Sequence, residues 1–213
     1  MKYSLVALLA TLSFGATAGA TIYEHGYFKG KSSYIGNGEM IDELNKRRIF
    51  ANDSVSSLKV DHGTCVVLYK NAGYSSTAKY FSGGEYADLV DYRFNDETTS
   101  IQVFKSHRCD SAIMTHFYNH GDYNTRGGHF SLPPNSFIRD LDKGHDATYW
   151  HKEWHANDVV SSIKVGINSC VTLYRDHHFR GASKKVGKNA PTLRAYNFND
   201  EASSIRVTSG SCK

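Results

Sequence analysis

Four aspartates each stand three residues ahead of a hydroxyl: Asp53 with Ser56, Asp96 with Thr99, Asp158 with Ser161 and Asp200 with Ser203. All four lie in one hexapeptide pattern, Asn-Asp-x-x-(Ser/Thr)-Ser, beginning at Asn52, Asn95, Asn157 and Asn199. A carboxylate, a main-chain carbonyl and a hydroxyl are oxygen donors only. The hard cation that takes six to eight oxygens at about 2.3–2.6 Å is calcium. One loop offers three oxygens, so two crossing loops would supply most of a shell. The same residue types are also turn formers that bond their own backbone. A cation-free Asx-turn leading into a strand is therefore the competing reading.

Each hexapeptide runs straight into an aliphatic–polar–Val triplet: Leu58-Lys59-Val60, Ile101-Gln102-Val103, Ile163-Lys164-Val165 and Ile205-Arg206-Val207. That alternation is the signature of a half-buried strand. Successive copies lie 43, 62 and 42 residues apart, so the chain is a duplication of a duplication. Upstream of each loop an aromatic pair recurs with a spacing of five: Tyr23/Phe28, Tyr69/Tyr74, Tyr118/Tyr123 and Tyr174/Phe179. In the first and fourth repeats Gly30 and Gly181, then Ser32 and Ser183, complete the pattern of a folded β-hairpin. The first ring can cover the turn, and the later Ser hydroxyl is expected to bond open backbone there. Repeats two and three carry Ser76/Ala78 and Thr125/Gly127 instead, so their hairpins are expected to be looser or differently turned. Leu89/Phe94 and Leu193/Phe198 share a spacing read as a short helical turn. No window carries a long 3.6-residue apolar period, so the chain reads as all-β.

Met1-Lys2, the apolar run Leu5 to Leu12 and Ala18-Gly19-Ala20 read as a secretory leader over residues 1–20. The apolar run is too short to cross a bilayer as a helix, and no Cys follows the cleavage point to carry a lipid. The expected destination is the periplasm or the outside of the cell. Without the leader the formal charge falls from +4 to +3, with no basic stripe or zinc-finger spacing, which argues against nucleic acid. Four Cys in an exported chain read as disulfides, and three pairings are open. Cys65 and Cys170 occupy equivalent places in the repeats, as do Cys109 and Cys212. Pairing within each half, Cys65–Cys109 and Cys170–Cys212, is therefore preferred.

Two motifs recurring in order four times, Tyr-x4-(Phe/Tyr)-x-Gly-x-Ser and Asn-Asp-x-x-(Ser/Thr)-Ser, resemble the βγ-crystallins, the calcium-binding microbial members above all. The resemblance implies two Greek-key β-sandwich domains of two repeats each, residues 21–105 and 110–213, joined by a short linker at 106–109. It implies that two loops of one domain build two calcium sites, four in all. The ligands would be the carboxylates of Asp53, Asp96, Asp158 and Asp200 and the hydroxyls of Ser56, Thr99, Ser161 and Ser203. Carbonyls of Ser54, Glu97, Val159 and Glu201 would complete the set. About one carboxylate per site points to affinity nearer micromolar than nanomolar.

The third repeat is lengthened around Lys143 to His155, where both Trp residues lie. His151 and His155, with His145 or Asp146, could hold zinc or copper. Trp150 and Tyr149 could stack on a glycan, and a decorated surface loop is the plainer reading. Trp154 aligns with Phe50, Phe94 and Phe198 as a core aromatic. No nucleophile elbow, P-loop or placed base is present, so no enzyme is expected. The expectation is a monomeric, exported calcium-binding structural protein. The alternative is a calcium-rigidified module that binds a glycan, a protein or a protease through residues 143–155.

Overall fold

The computed structural model describes residues 18–143 and 156–213. The expected leader up to residue 17 and the His/Trp stretch from 144 to 155 lie outside the described residues. Among those described, regular structure is strands and one-turn 3-10 helices only.

The first half is a pair of four-stranded antiparallel sheets that share two long strands. Strands β1 (Gly19–His25), β2 (Lys29–Gly36) and β3 (Met40–Ile41) precede β4 (Ser57–Asn71), β5 (Ser75–Tyr86) and β6 (Ser100–Lys105). Ile22 pairs with Leu58, and Leu58 with Tyr86, giving the sheet order β2-β1-β4-β5. Beyond a register break between Val60 and Cys65, Leu68 pairs with both Lys79 and Ile101, and Ile101 with Ile41. The second sheet is thus β5-β4-β6-β3. At the bend Gly83 lies so near His62 that a Cβ would sit 2.9 Å from the His62 Cα. Each sheet borrows its outer short strand from the other repeat, which is a Greek-key exchange. Ile22, Leu58, Val66, Leu68, Phe81, Leu89, Phe94 and Ile101 are buried between them.

The second half repeats the plan. Strands β7 (Thr115–Tyr118) and β8 (His129–Leu132) join β10 (Ser162–Lys164), while β9 (Ser136–Ile138) joins β11 (Ser169–Asp176), β12 (Arg180–Val186) and β13 (Ser204–Ser209). Ala190 bridges Ile163, where the exchanged strand of the fourth repeat belongs. The short turns at Leu89–Tyr92 and Leu193–Tyr196 each bury their Leu, and the Phe94 and Phe198 amides return to those carbonyls. Both expected disulfides are present, Cys65–Cys109 and Cys170–Cys212.

In all four hairpins the paired rings meet edge to face, with centroids 5.5–6.0 Å apart. The hydroxyl that closes each turn comes from another place than expected. It is not Ser32 or Ser183 but the last Ser of each hexapeptide. Ser57 accepts from the Phe28 amide at 3.1 Å and donates to the His25 carbonyl at 2.7 Å. Ser100, Ser162 and Ser204 bridge the other three turns the same way. The loop and the hairpin of each repeat are therefore clamped together. The second hairpin is not differently turned. Ser76 holds φ 69° where Gly30 holds 77° and Gly181 71°, so a serine carries the left-handed strain that glycine avoids. The third hairpin does differ: Tyr118 faces His129, eleven residues on, whereas Tyr23 faces Ser32 and Tyr174 faces Ser183, nine on. Strand β1 begins at Gly19, inside the leader as read from the sequence. Ala20 is fully buried between Ile35 and Val60.

The domains pack on each other. Along β4, Val66 and Leu68 point into the first sandwich, while Cys65, Val67 and Tyr69 join a buried cluster shared with the second half. At its centre the Tyr69 hydroxyl donates to Gln102 Oε1 at 2.7 Å and lies 2.8 Å from the Ser131 hydroxyl. The Gln102 amide donates to the Ser131 carbonyl at 2.9 Å. Burial pushes the Tyr69 phenol well above its ordinary range. Burial, and then the Asp110 charge, pushes neighbouring Tyr80 up to about 12. Polar groups sealed in this way must be fully partnered, which fixes the register of one domain on the other.

On β7, burial holds the His116 imidazole below its ordinary value of 6.5, opposed in part by a 3.3 Å contact to the Ser111 carbonyl. The folded pKa lies below the unfolded one, so unfolding takes up a proton at mildly acid pH. The contribution is whole above about pH 7.5 and is lost as pH falls below about 6.5. Chemical denaturation is expected to give lower stability at pH 5.5 than at pH 7.5, with the difference reduced in His116→Gln. Equal pH dependence in the variant would remove His116 as the cause.

Candidate metal centre

The six positions of the hexapeptide have the same degree of burial in all four copies. The second-position Asp is exposed, the fourth residue (Val55, Thr98, Val160, Ala202) is buried, and so are the fifth and sixth hydroxyls. Every second-position Asp has a left-handed backbone: φ is 56° at Asp53, 52° at Asp96, 51° at Asp158 and 55° at Asp200. Asp tolerates that conformation better than most residues, at a cost of about 1 kcal/mol or more.

The loops of one domain cross. The Asp53 amide donates to the Thr98 carbonyl and the Asp96 amide to the Val55 carbonyl, at 2.9 and 3.2 Å. The Asp158 amide reaches the Ala202 carbonyl and the Asp200 amide the Val160 carbonyl, at 3.0 and 3.1 Å. That ladder brings each carboxylate to the other loop's hydroxyl. Ser56 Oγ lies 2.9 Å from Asp96 Oδ1, and Ser161 Oγ lies 2.6 Å from Asp200 Oδ1. Thr99 Oγ1 to Asp53 and Ser203 Oγ to Asp158 both measure 3.3 Å. All eight side chains expected to act together are paired, each across the two loops of its own domain.

Some participants are not evident from the hexapeptide alone. The first-position amides of Asn95, Asn157 and Asn199 donate to the second oxygen of their neighbouring Asp at 2.6–2.9 Å, aiming the carboxylate across the gap. Asn52 departs from this, bonding the Asn45 amide and Glu43. The repetition of Asn was the available signal. The carbonyls of Glu24 and Asn119 also meet Ser56 and Ser161, at 2.8 and 3.0 Å, and no side-chain pattern announces them. Of the expected third-position residues, Ser54 bonds the Ala51 carbonyl with its hydroxyl. Glu97 and Glu201 pair through their side chains with Lys70 and Arg175, and Val159 is half-buried. The second-domain loops line one open polar cleft that also holds Arg175, Asp176 and His177.

Residues 19–104 match the family model described as Beta/Gamma crystallin. The chain is 26% identical over 198 residues to Development-specific protein S of Myxococcus xanthus, covering 90% of this chain and 99% of that protein. A solution structure of protein S complexed with calcium is 24% identical over 90% of this chain and 99% of that one, with a TM-score of 0.37. A βγ-crystallin domain from Clostridium beijerinckii is 28% identical over 40% of this chain and 97% of its own, again at 0.37. Superpositions at that level carry no part of the assignment, which rests on the matched domain. The second half repeats its strand order and exchanged strands. The match to the βγ-crystallin family is thus a match of the domain at residues 19–104.

Proposed function

We propose that the chain is an exported structural protein that binds calcium at four sites, two per domain, and is stabilised by it. The observation that carries the reading is the crosswise approach of Asp and hydroxyl in all four loops. An isolated Asx-turn would spend the Asp oxygen on its own backbone two residues on. Here one oxygen faces the opposite loop. Adjacent oxygens in a calcium shell lie about 2.8–3.4 Å apart, given the bond lengths and coordination numbers; three of the pairs have that spacing, and Ser161–Asp200 at 2.6 Å would open slightly. Each site would take a carboxylate, the opposite hydroxyl and third-position carbonyls, with solvent completing the shell. That the related protein S has been seen with calcium supports the same reading.

The sites form two classes. Beside Asp96/Ser56 and Asp200/Ser161 stand Glu24 and Asn119, which bear no positive charge. The other two sites each have a cation, Lys70 beside Glu97 and Arg175 beside Glu201. A unit positive charge near a divalent ion costs on the order of 1 kcal/mol even in water. Arg175→Gln, which also leaves the Glu201 carboxylate unpaired, is expected to tighten the Asp158/Ser203 site about fivefold on that scale. An unchanged binding isotherm would sink the two-class assignment.

Titration calorimetry of the oxidised chain tests the whole reading. Uptake of two ions per domain supports it. Absence of binding heat, with an unmoved melt, would leave the loops as plain turns. For export, cleavage after Ala18 rather than Ala20 would preserve β1, since the Gly19 amide reaches Asp61 Oδ2 at 2.8 Å and Ala20 is buried. The intact mass of the exported protein is expected to begin at Gly19. A start at Thr21 would contradict this.

A further inference from the structure

At the edge of the second-domain cleft a set of donors converges that calcium chemistry does not require. The His177 Nε2 atom lies 3.4 Å from Asp142 Oδ2, 3.7 Å from Asp140 Oδ1 and 3.3 Å from Asn157 Oδ1. One donor atom each from Asp140, Asp142 and His177 lie within 4.8 Å of one another. We propose that Asp140, Asp142 and His177 form a site for a divalent transition metal such as zinc, with Asn157 at its rim.

First, a tetrahedral zinc with bonds of about 2.0–2.2 Å sets its donors about 3.3–3.5 Å apart, close to the separations around His177. Second, calcium takes oxygen and gains little from imidazole, whereas imidazole with carboxylates suits zinc, copper or nickel. Third, the Asp140 carboxylate is held in place. Its residue is only 2% exposed, and Oδ1 accepts from the Asp142 and Lys143 amides at 3.0 and 3.2 Å. Backbone donors behind a ligating carboxylate are what fixes its direction toward a metal. The Lys143 ammonium, 3.4 Å from Oδ2, lies toward the other oxygen.

Fourth, the set is peculiar to one domain. The Leu44 amide bonds the Thr99 carbonyl as the Leu141 amide bonds that of Ser203, so Glu43 and Asn45 match Asp140 and Asp142. Lys46 pairs with Glu43 as Lys143 does with Asp140. The residue matching His177, three beyond the first hairpin tyrosine, is Ala72. The fold alone therefore does not demand the cluster, and the nitrogen donor is added only in the fourth repeat.

Zinc titration of the calcium-saturated chain, read by calorimetry and by the His177 ring-nitrogen shifts in NMR, tests the proposal. The expected result is one zinc per chain, shifts at His177 Nε2, and a dissociation constant raised at least tenfold in both His177→Gln and Asp142→Asn. A His151→Ala/His155→Ala variant should keep the affinity, and so should Asp200→Asn, which separates this site from the calcium reading. Near-UV circular dichroism checks that the variants are folded. Zinc uptake unaltered by His177→Gln, zinc that calcium displaces ion for ion, or no uptake would each overturn the proposal.

Discussion

Chelating calcium from the oxidised chain is expected to lower its melting midpoint by about 20–40 °C. A ligand at a hundredfold its dissociation constant adds about 2.7 kcal/mol per site. Two such sites within one sandwich would therefore add about 5 kcal/mol, and each kcal/mol moves a domain of this size by about 4–8 °C. The effect should fall by half within one domain when one carboxylate is removed. In Asp96→Asn the left-handed backbone remains tolerable, so the chelated variant should melt close to the chelated parent. In calcium it should lack the share of the Asp96/Ser56 site. A variant that melts lower by the same amount with and without calcium would show that Asp96 acts through the turn alone. That outcome would sink the crossed-loop site.

Loss of either disulfide is expected to rival loss of calcium. Cys65–Cys109 and Cys170–Cys212 close loops of 44 and 42 residues. Restricting the unfolded chain over such loops is worth about 4 kcal/mol in the chain-entropy treatment. Cys170→Ala/Cys212→Ala should shift the denaturant midpoint accordingly, in calcium and in chelator alike, because neither Cys touches the loops. Cys65→Ala/Cys109→Ala should cost more. Cys65 is fully buried in the cluster shared by the domains, and Cys109 ties down the segment that joins them. Shifts under about 1 kcal/mol for both pairs would mean that the unfolded chain is already restricted by other means.

Much of this was legible in the sequence because each hexapeptide is read locally: strand alternation, turn residues and donor types sit within ten residues of one another. Internal repetition then gave the two domains and the disulfide partners. What was not legible depends on contacts distant in sequence. That Ser57 rather than Ser32 closes the first hairpin follows from pairing β1 with β4. The crossing of Asp96 to Ser56 spans forty residues. The third hairpin was foreseen to differ because its glycine is displaced, yet Ser76 shows that clamping from the loop can hold a strained turn without one. The domain contact was present in muted form. Cys65-Val66-Val67-Leu68-Tyr69 is apolar at every position, as befits a strand buried on both faces, whereas Cys170-Val171-Thr172-Leu173-Tyr174 is interrupted.

That interruption bears on how long an assembly this architecture can build. The first domain offers Val67, Gln102 and Phe104 to its neighbour, and the strand registers match these to Thr172, Arg206 and Thr208 in the second. Arg206 and Thr208 are exposed, and the Arg206 guanidinium rests 4.0 Å from the centre of the Phe179 ring. A head-to-tail contact repeated on both domains would have no last member, and open filaments arise in that way. In the second domain the matching face is polar and exposed, so it does not repeat the apolar surface that joins the first domain to its neighbour.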